Sequence, residues 1–204
     1  MLKINNKMTS SLKLVIILGI DPGTLVTGYG VIEINKGNIK LLSSGIIRNR
    51  AGIKMPLRLK EIYLTLCDII NRYHPDELAI ESAFYGKNAQ SAMKIGLARG
   101  VAILAGVNRE IPATEYTPRE IKKAIVGSGA ASKQQVQFMV RSLLNNQLIP
   151  ALYDVSDALA VALCHCRRTI KELKSEPSAK SRIEYYKNWA SYIEAHPERI
   201  VRKK

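Results

Sequence analysis

The sequence predicts an α/β domain on a mixed five-stranded sheet, an antiparallel meander leading into parallel strands, with helices on both faces. Three observations predict it. Three β-branched stretches joined by short turns open the chain. The apolar period then switches to that of a helix. After that, helical and strand patterns alternate, which places helices on a sheet. With 204 residues, 47% hydrophobic and 24% charged, the chain can bury one real core and not comfortably two.

Residues 1–13 form a polar leader expected to be poorly ordered, with Met8 an alternative start. Val15–Ile20 is rich in β-branched residues and reads as a buried strand. The run from Leu14 to Ile20 is too short for an export signal and meets Asp21 and Pro22 without a cleavage pattern. Asp21-Pro22-Gly23 marks a turn. Gly28–Glu33 and Ile39–Arg48 read as two further strands, separated by the turn Asn35-Lys36-Gly37-Asn38. From Pro56 to Tyr73 the residues Leu59, Ile62, Tyr63, Leu66, Ile69 and Ile70 share a helical face, and Pro75 stops the helix. Glu77–Ile80 is a short strand with Glu81 at its end. Ala89–Asn108 is a long helix, Ala113–Tyr116 a strand, and Pro118–Val126, Ser132–Leu144 and Val155–Ile170 are helices. The order is β-β-β-α-β-α-β-α-α-α. The folded domain is expected over 14–170, followed over 171–204 by a linker and a basic, partly helical tail.

The charge balance narrows the function. Lys and Arg number 31 against 17 Asp and Glu, a net charge of +14, which attracts polyanions and points to nucleic acid. No apolar stretch approaches the roughly 20 residues of a membrane span. The odd set Cys67, Cys164 and Cys166 makes no disulfide framework and fits a reducing compartment, so the expected location is cytoplasmic. Cys164-His165-Cys166 is too compressed for a zinc finger and has no second ligand pair.

Against this basic background four carboxylates hold unusual places. Asp21 and Glu81 end strands, and Asp154 and Asp157 share one face at the start of the last helix. Three have ordinary alternatives: a turn residue for Asp21, an N-cap for Asp154, a favourable first-turn charge for Asp157; Glu81 at a strand end is harder to explain away, since its apolar neighbours Leu78 and Ile80 suggest burial. Together they make a hard-oxygen set suited to Mg²⁺ or Mn²⁺. Two such ions about 4 Å apart can activate water and stabilise the leaving oxygen of a phosphodiester.

Ile17-Leu-Gly-Ile-Asp-Pro-Gly-Thr24 with Thr27-Gly-Tyr-Gly-Val31, then Ala79-Ile-Glu-Ser82 with Phe84 and Gly86-Lys-Asn88, then Asp154-Val-Ser-Asp-Ala-Leu-Ala-Val-Ala162 resemble the motifs of the RuvC family. Arg99-Gly-Val-Ala102, Val126-Gly127 and Ser132-Lys-Gln-Gln-Val136 also match, so the resemblance runs in order from about Ile16 to Cys166. That family comprises crossover junction endodeoxyribonucleases, which resolve Holliday junctions by paired symmetric nicks. The resemblance implies an RNase H-like fold, with Asp21, Glu81, Asp154 and Asp157 as catalytic residues and ligands of two Mg²⁺ ions, Mn²⁺ substituting. It implies that Lys122 and Lys133 assist catalysis or grip DNA and that Phe84 contacts bases at the junction. Tyr85, Lys87 and Arg119 join them as expected DNA contacts.

It further implies a homodimer and work beside the branch-migration motor RuvA–RuvB. Ala92, Gly96, Ala98, Gly100, Ala102, Ala105 and Gly106 would lie on the helix at the dimer interface; the alternative is that this face packs on its own sheet. Val155-Ser156 departs from the small residues usual between the last two aspartates, and the tail exceeds the family core. Two other readings compete. Actin-like ATPases and sugar kinases also place Asp-x-Gly-Thr after a strand, but on longer, duplicated chains. A DNA-binding protein without activity would be expected to have lost a carboxylate, and none is missing.

Overall fold

The computed structural model describes residues 14–35, 37–82, 89–145 and 149–174. The chain divides into two units, 1–171 and 172–204. In the first, β1 (Val15–Asp21), β2 (Val26–Asn35) and β3 (Asn38–Arg48) form the meander, closed between β2 and β3 by Gly37 at φ +85°. Then follow α1 (Met55–Tyr73), β4 (Glu77–Glu81), α2 (Ala89–Val107) and β5 (Ala113–Tyr116). The helices α3 (Pro118–Val126), α4 (Lys133–Leu143) and α5 (Tyr153–Lys174) complete the order.

The sheet order is β3-β2-β1-β4-β5, with β1–β2 and β2–β3 antiparallel and β1–β4 and β4–β5 parallel. This is the mixed RNase H-like sheet the sequence leads one to expect. Two ends differ from expectation. The last helix begins at Tyr153, so Asp154 lies inside its first turn and is not its N-cap, and it continues to Lys174, past Lys171 where a linker was expected. The expected leader, and the tail from 175 on, lie outside the described residues.

Strand alternation sorts the core onto two faces. Leu18, Ile20, Val31, Leu78 and Ile80 pack against α1 and α2, with Ile62, Leu66, Ile70 and Ala102 opposite. Val15, Ile17, Ile32, Ile34 and Ala79 face the other way, toward α3, α4 and α5. Asp21 continues the row of Ile17 and Gly19, and Glu81 the row of Ala79. Both carboxylates therefore belong to the α5 face.

That face is unusually close. An ideal Cβ at Gly28 would lie 2.0 Å from the Asp154 carbonyl oxygen, one at Gly19 2.3 Å from that of Ala158, and one at Gly30 2.4 Å from Leu159 Cδ2. Helix α5 thus rests on bare backbone of β1 and β2, with its N-terminal end over the C-terminal end of β1. Gly28→Ala forces a methyl group into that contact. Overpacking of this kind costs about 1–3 kcal/mol, so chemical denaturation should show a loss of that size; an unchanged stability would mean the helix is seated elsewhere.

Candidate active site

Asp21 closes β1 opposite Gly28, and Glu81 closes β4 opposite Tyr116. Because Ile20 pairs with Ile80 in the parallel ladder, the two carboxylates leave adjacent strands side by side. The turn after Asp21 is held by Thr27, which is fully buried. Its hydroxyl donates to the Gly23 carbonyl at 2.6 Å and accepts from the Gly23 N–H at 3.3 Å. Thr27 was legible only as part of a motif; nothing about an isolated threonine in a strand announces that it fastens a turn.

Asp21, Glu81 and Asp157 line one open cavity of about 210 Å³, together with Lys122, Lys133 and Pro118. Asp154 adds its negative field to Asp21 from the first turn of α5. The lysines come from helices with well-made N-termini. Thr117 and Glu120 form a capping box on α3, and Ser132 and Gln135 form one on α4. Lys133 Nζ sits 2.9 Å from Asp157 Oδ2 and 6.0 Å from the centre of the Tyr153 ring. The hydrogen bond to Asp157 holds the Lys133 ammonium above its ordinary pKa.

Lys133 also lowers Asp21 and Glu81 through its charge, but larger effects oppose it there. Burial, then the charges of Asp157 and Asp154, push Asp21 up to about 7. Burial, then the charges of Asp21 and Asp157, push Glu81 up to about 8. The side-chain hydrogen bond between them raises Glu81 and lowers Asp21, so Glu81 holds the shared proton. No group of three His, Cys, Asp or Glu side chains among the described residues converges to hold a metal ion. Lys133 holds an oxygen of Asp157, and Asp21 and Glu81 are hydrogen-bonded to each other. The donor chemistry nevertheless fits a hard divalent cation, since crowded carboxylate oxygens are its preferred ligands and the replaceable partners, the Lys133 ammonium and the shared proton, are both cationic.

The other expected contacts are dispersed. Arg119 is exposed and lines a different groove with Thr117, Lys123 and Ser128. Phe84, Tyr85 and Lys87 lie outside the described residues. His165 is far from the carboxylates along α5, its ring held by Tyr116 and Glu77. Cys164 and Cys166 are buried, and burial pushes both thiols up to about 11.

The raised carboxyl pKa values make a prediction with a definite sign. Glu81 titrates ordinarily at 4.5 and here at about 8, so between those values the folded protein keeps a proton that the unfolded chain has released. Stability of the metal-free protein should therefore fall as pH rises through that window. Glu81→Gln, which cannot ionise, should flatten the fall when melting temperature is followed against pH. A variant curve parallel to the wild type would remove Glu81 from the crowded set.

The family model for crossover junction endodeoxyribonuclease RuvC matches residues 17–165. The crossover junction endodeoxyribonuclease RuvC of Desulforamulus reducens is 52% identical over 152 residues, covering 74% of this chain and 93% of that protein. That of Salinibacter ruber is 42% identical over 185 residues, covering 91% and 98%. The solved structure of T. thermophilus RuvC in complex with Holliday junction substrate superposes with a TM-score of 0.71 at 28% identity, covering 77% of this chain and 96% of that one.

Proposed function

Since this chain belongs to the RuvC family of crossover junction endodeoxyribonucleases, we propose that its Asp21, Glu81, Asp154 and Asp157 are the catalytic carboxylates with which it resolves four-way DNA junctions. The observation that carries the reading is the crowding at one cavity: Asp21 and Glu81 share a proton, Asp157 is held by an ammonium, and Asp154 adds to the field. Four carboxyl groups crowded together, two of them pushed toward neutrality, favour a cationic counterpart.

Those four residues would hold Mg²⁺, with Mn²⁺ able to substitute and two ions to each site. The ions would supply Lewis acidity at the scissile phosphate and lower the pKa of the attacking water. The chain's own groups do the rest. The strand ends and α5 fix the carboxylates relative to one another, and loss of the Glu81 proton frees its oxygens. Lys133, released from Asp157, and Lys122 on the same cavity wall are placed to contact phosphate oxygens. The net charge of +14 draws the polyanion to a pocket that is itself acidic. Arg119, Phe84, Tyr85 and Lys87 would contact DNA beyond the cavity.

Paired nicks need two sites, and α2 offers a surface for pairing. Met93, Leu97, Leu104 and Val107 are exposed on it, with Gly100 between, at alternating spacings of four and three that form one seam. An added Cβ at Gly96 or Gly100 meets nothing within 4 Å, leaving room for a neighbour. The small residues expected at this interface divide: Ala98, Ala102, Ala105 and Gly106 are buried on the domain's own sheet, and the seam is made of larger side chains. We place a homodimer there, acting beside RuvA–RuvB. No described helix is long and apolar enough to cross a membrane, and the three cysteines are free and buried. Both support work in the cytoplasm.

The test is a mobile four-way junction and a linear duplex, each incubated with and without Mg²⁺. Paired nicks should appear only in the junction and only with the ion. Asp21→Asn should cut at least roughly a hundredfold more slowly while a gel-shift assay finds junction binding intact. Cleavage at the wild-type rate by that variant ends the assignment.

A further inference from the structure

His165 sits in the last helix two turns beyond Asp157, buried at 5% exposure, and the reaction described above makes no use of it. Its ring bridges two strands. The Tyr116 hydroxyl at the end of β5 lies 2.6 Å from Nδ1, and Nε2 meets the Glu77 carboxylate at the start of β4. The tautomer that satisfies both partners carries its proton on Nε2, donating to Glu77, and accepts from the Tyr116 O–H at Nδ1. Thr169, one turn further along α5, donates to the same Glu77 oxygen at 3.2 Å. The bond to His165 holds the Glu77 carboxyl below its ordinary pKa.

We infer that His165 is a positioning residue for junction cleavage: through Glu77 and Tyr116 it sets the axial height of α5, and so brings Asp154 and Asp157 level with Asp21 and Glu81. The inference rests on the role given to those carboxylates above. Two features of the packing support it. The contacts of α5 with Gly19 and Gly28 are backbone-scale, meeting Ala158, Ala162 and the Asp154 carbonyl. They fix how near the helix lies to the sheet. Hydrogen bonds of set length and direction at a buried ring additionally fix one point of the helix along its axis.

The pin and the site also share their parts. Glu77 and Glu81 stand on one face of β4, and His165 and Asp157 are eight residues apart on α5, roughly 12 Å of rigid helix. The ring and the aspartates therefore move on one rigid element. Tyr116 is the β5 partner of Glu81, and its carbonyl accepts from the Ser82 N–H at 2.8 Å and the Ser82 hydroxyl at 3.1 Å. One residue thus braces both the helix and the strand end that presents Glu81.

Tyr116→Phe removes a single hydroxyl, His165→Leu removes both bonds, and His165→Gln keeps a donor and an acceptor. Each full-length variant would be assayed for kcat on the mobile junction at saturating Mg²⁺, for junction Kd without metal, and for the rise in melting temperature caused by Mg²⁺. Tyr116→Phe and His165→Leu should lose about a hundredfold in kcat, the scale of a 1 Å misplacement, with Kd unchanged and a smaller Mg²⁺-induced rise. His165→Gln should recover part of both. Wild-type kcat and Mg²⁺ response in Tyr116→Phe overturns the inference, and that variant decides the matter should His165→Leu not fold. So does a parallel loss of kcat, Kd and metal-free stability, which marks a scaffold role only. Wild-type protein that fails to cut with Mg²⁺, or Asp157→Asn that cuts normally, overturns the carboxylate assignment itself and this inference with it.

Discussion

The closeness of α5 to the first two strands is the constraint on which the site depends. With no side chain at Gly19, Gly28 or Gly30, the helix lies directly on the hairpin and its first turn reaches the end of β1. Any larger residue there would lift Asp154 and Asp157 away from Asp21. The same seating buries Val155, Leu159 and Ala162 in the core shared with α3 and α4, so the packing that stabilises the domain also aims its acids.

The acids, once gathered, oppose one another. Two are driven toward neutrality by burial and mutual repulsion, and a third is restrained by Lys133. The metal-free molecule therefore stores an electrostatic cost at its cavity that a divalent cation would relieve. The chain is strongly basic as a whole and acidic at one point, so its overall charge and the charge of its cavity are of opposite sign. Lys122 and Lys133 stand where the two regimes meet.

Much of this was legible in the sequence because periodicity is a direct record of packing. The period-two strands, the Asn35–Asn38 turn and the Pro75 stop follow from local rules, and the element order came with them. Asp21 and Glu81 could be placed at strand ends, and alternation alone then puts them on one face. What local rules could not supply was partnership. Asp154 suited an N-cap by residue type, yet the helix starts two residues earlier, with the Leu152 carbonyl accepting from the Ser156 N–H. The alanines and glycines of α2 suited an interface, yet most serve the internal sheet, since a small side chain is as useful against one neighbour as another. Nothing near His165 in the chain names Glu77, 88 residues away in sequence, as its partner.

The two cysteines that flank His165 carry one more consequence. Their thiols are buried and pushed up to about 11, so at cellular pH almost none of either is present as thiolate. Peroxide attacks the thiolate and needs access to it. Burial and a raised pKa together make Cys164 and Cys166 poor targets for peroxide, so the helix that carries two of the acids presents no reactive thiol at this turn.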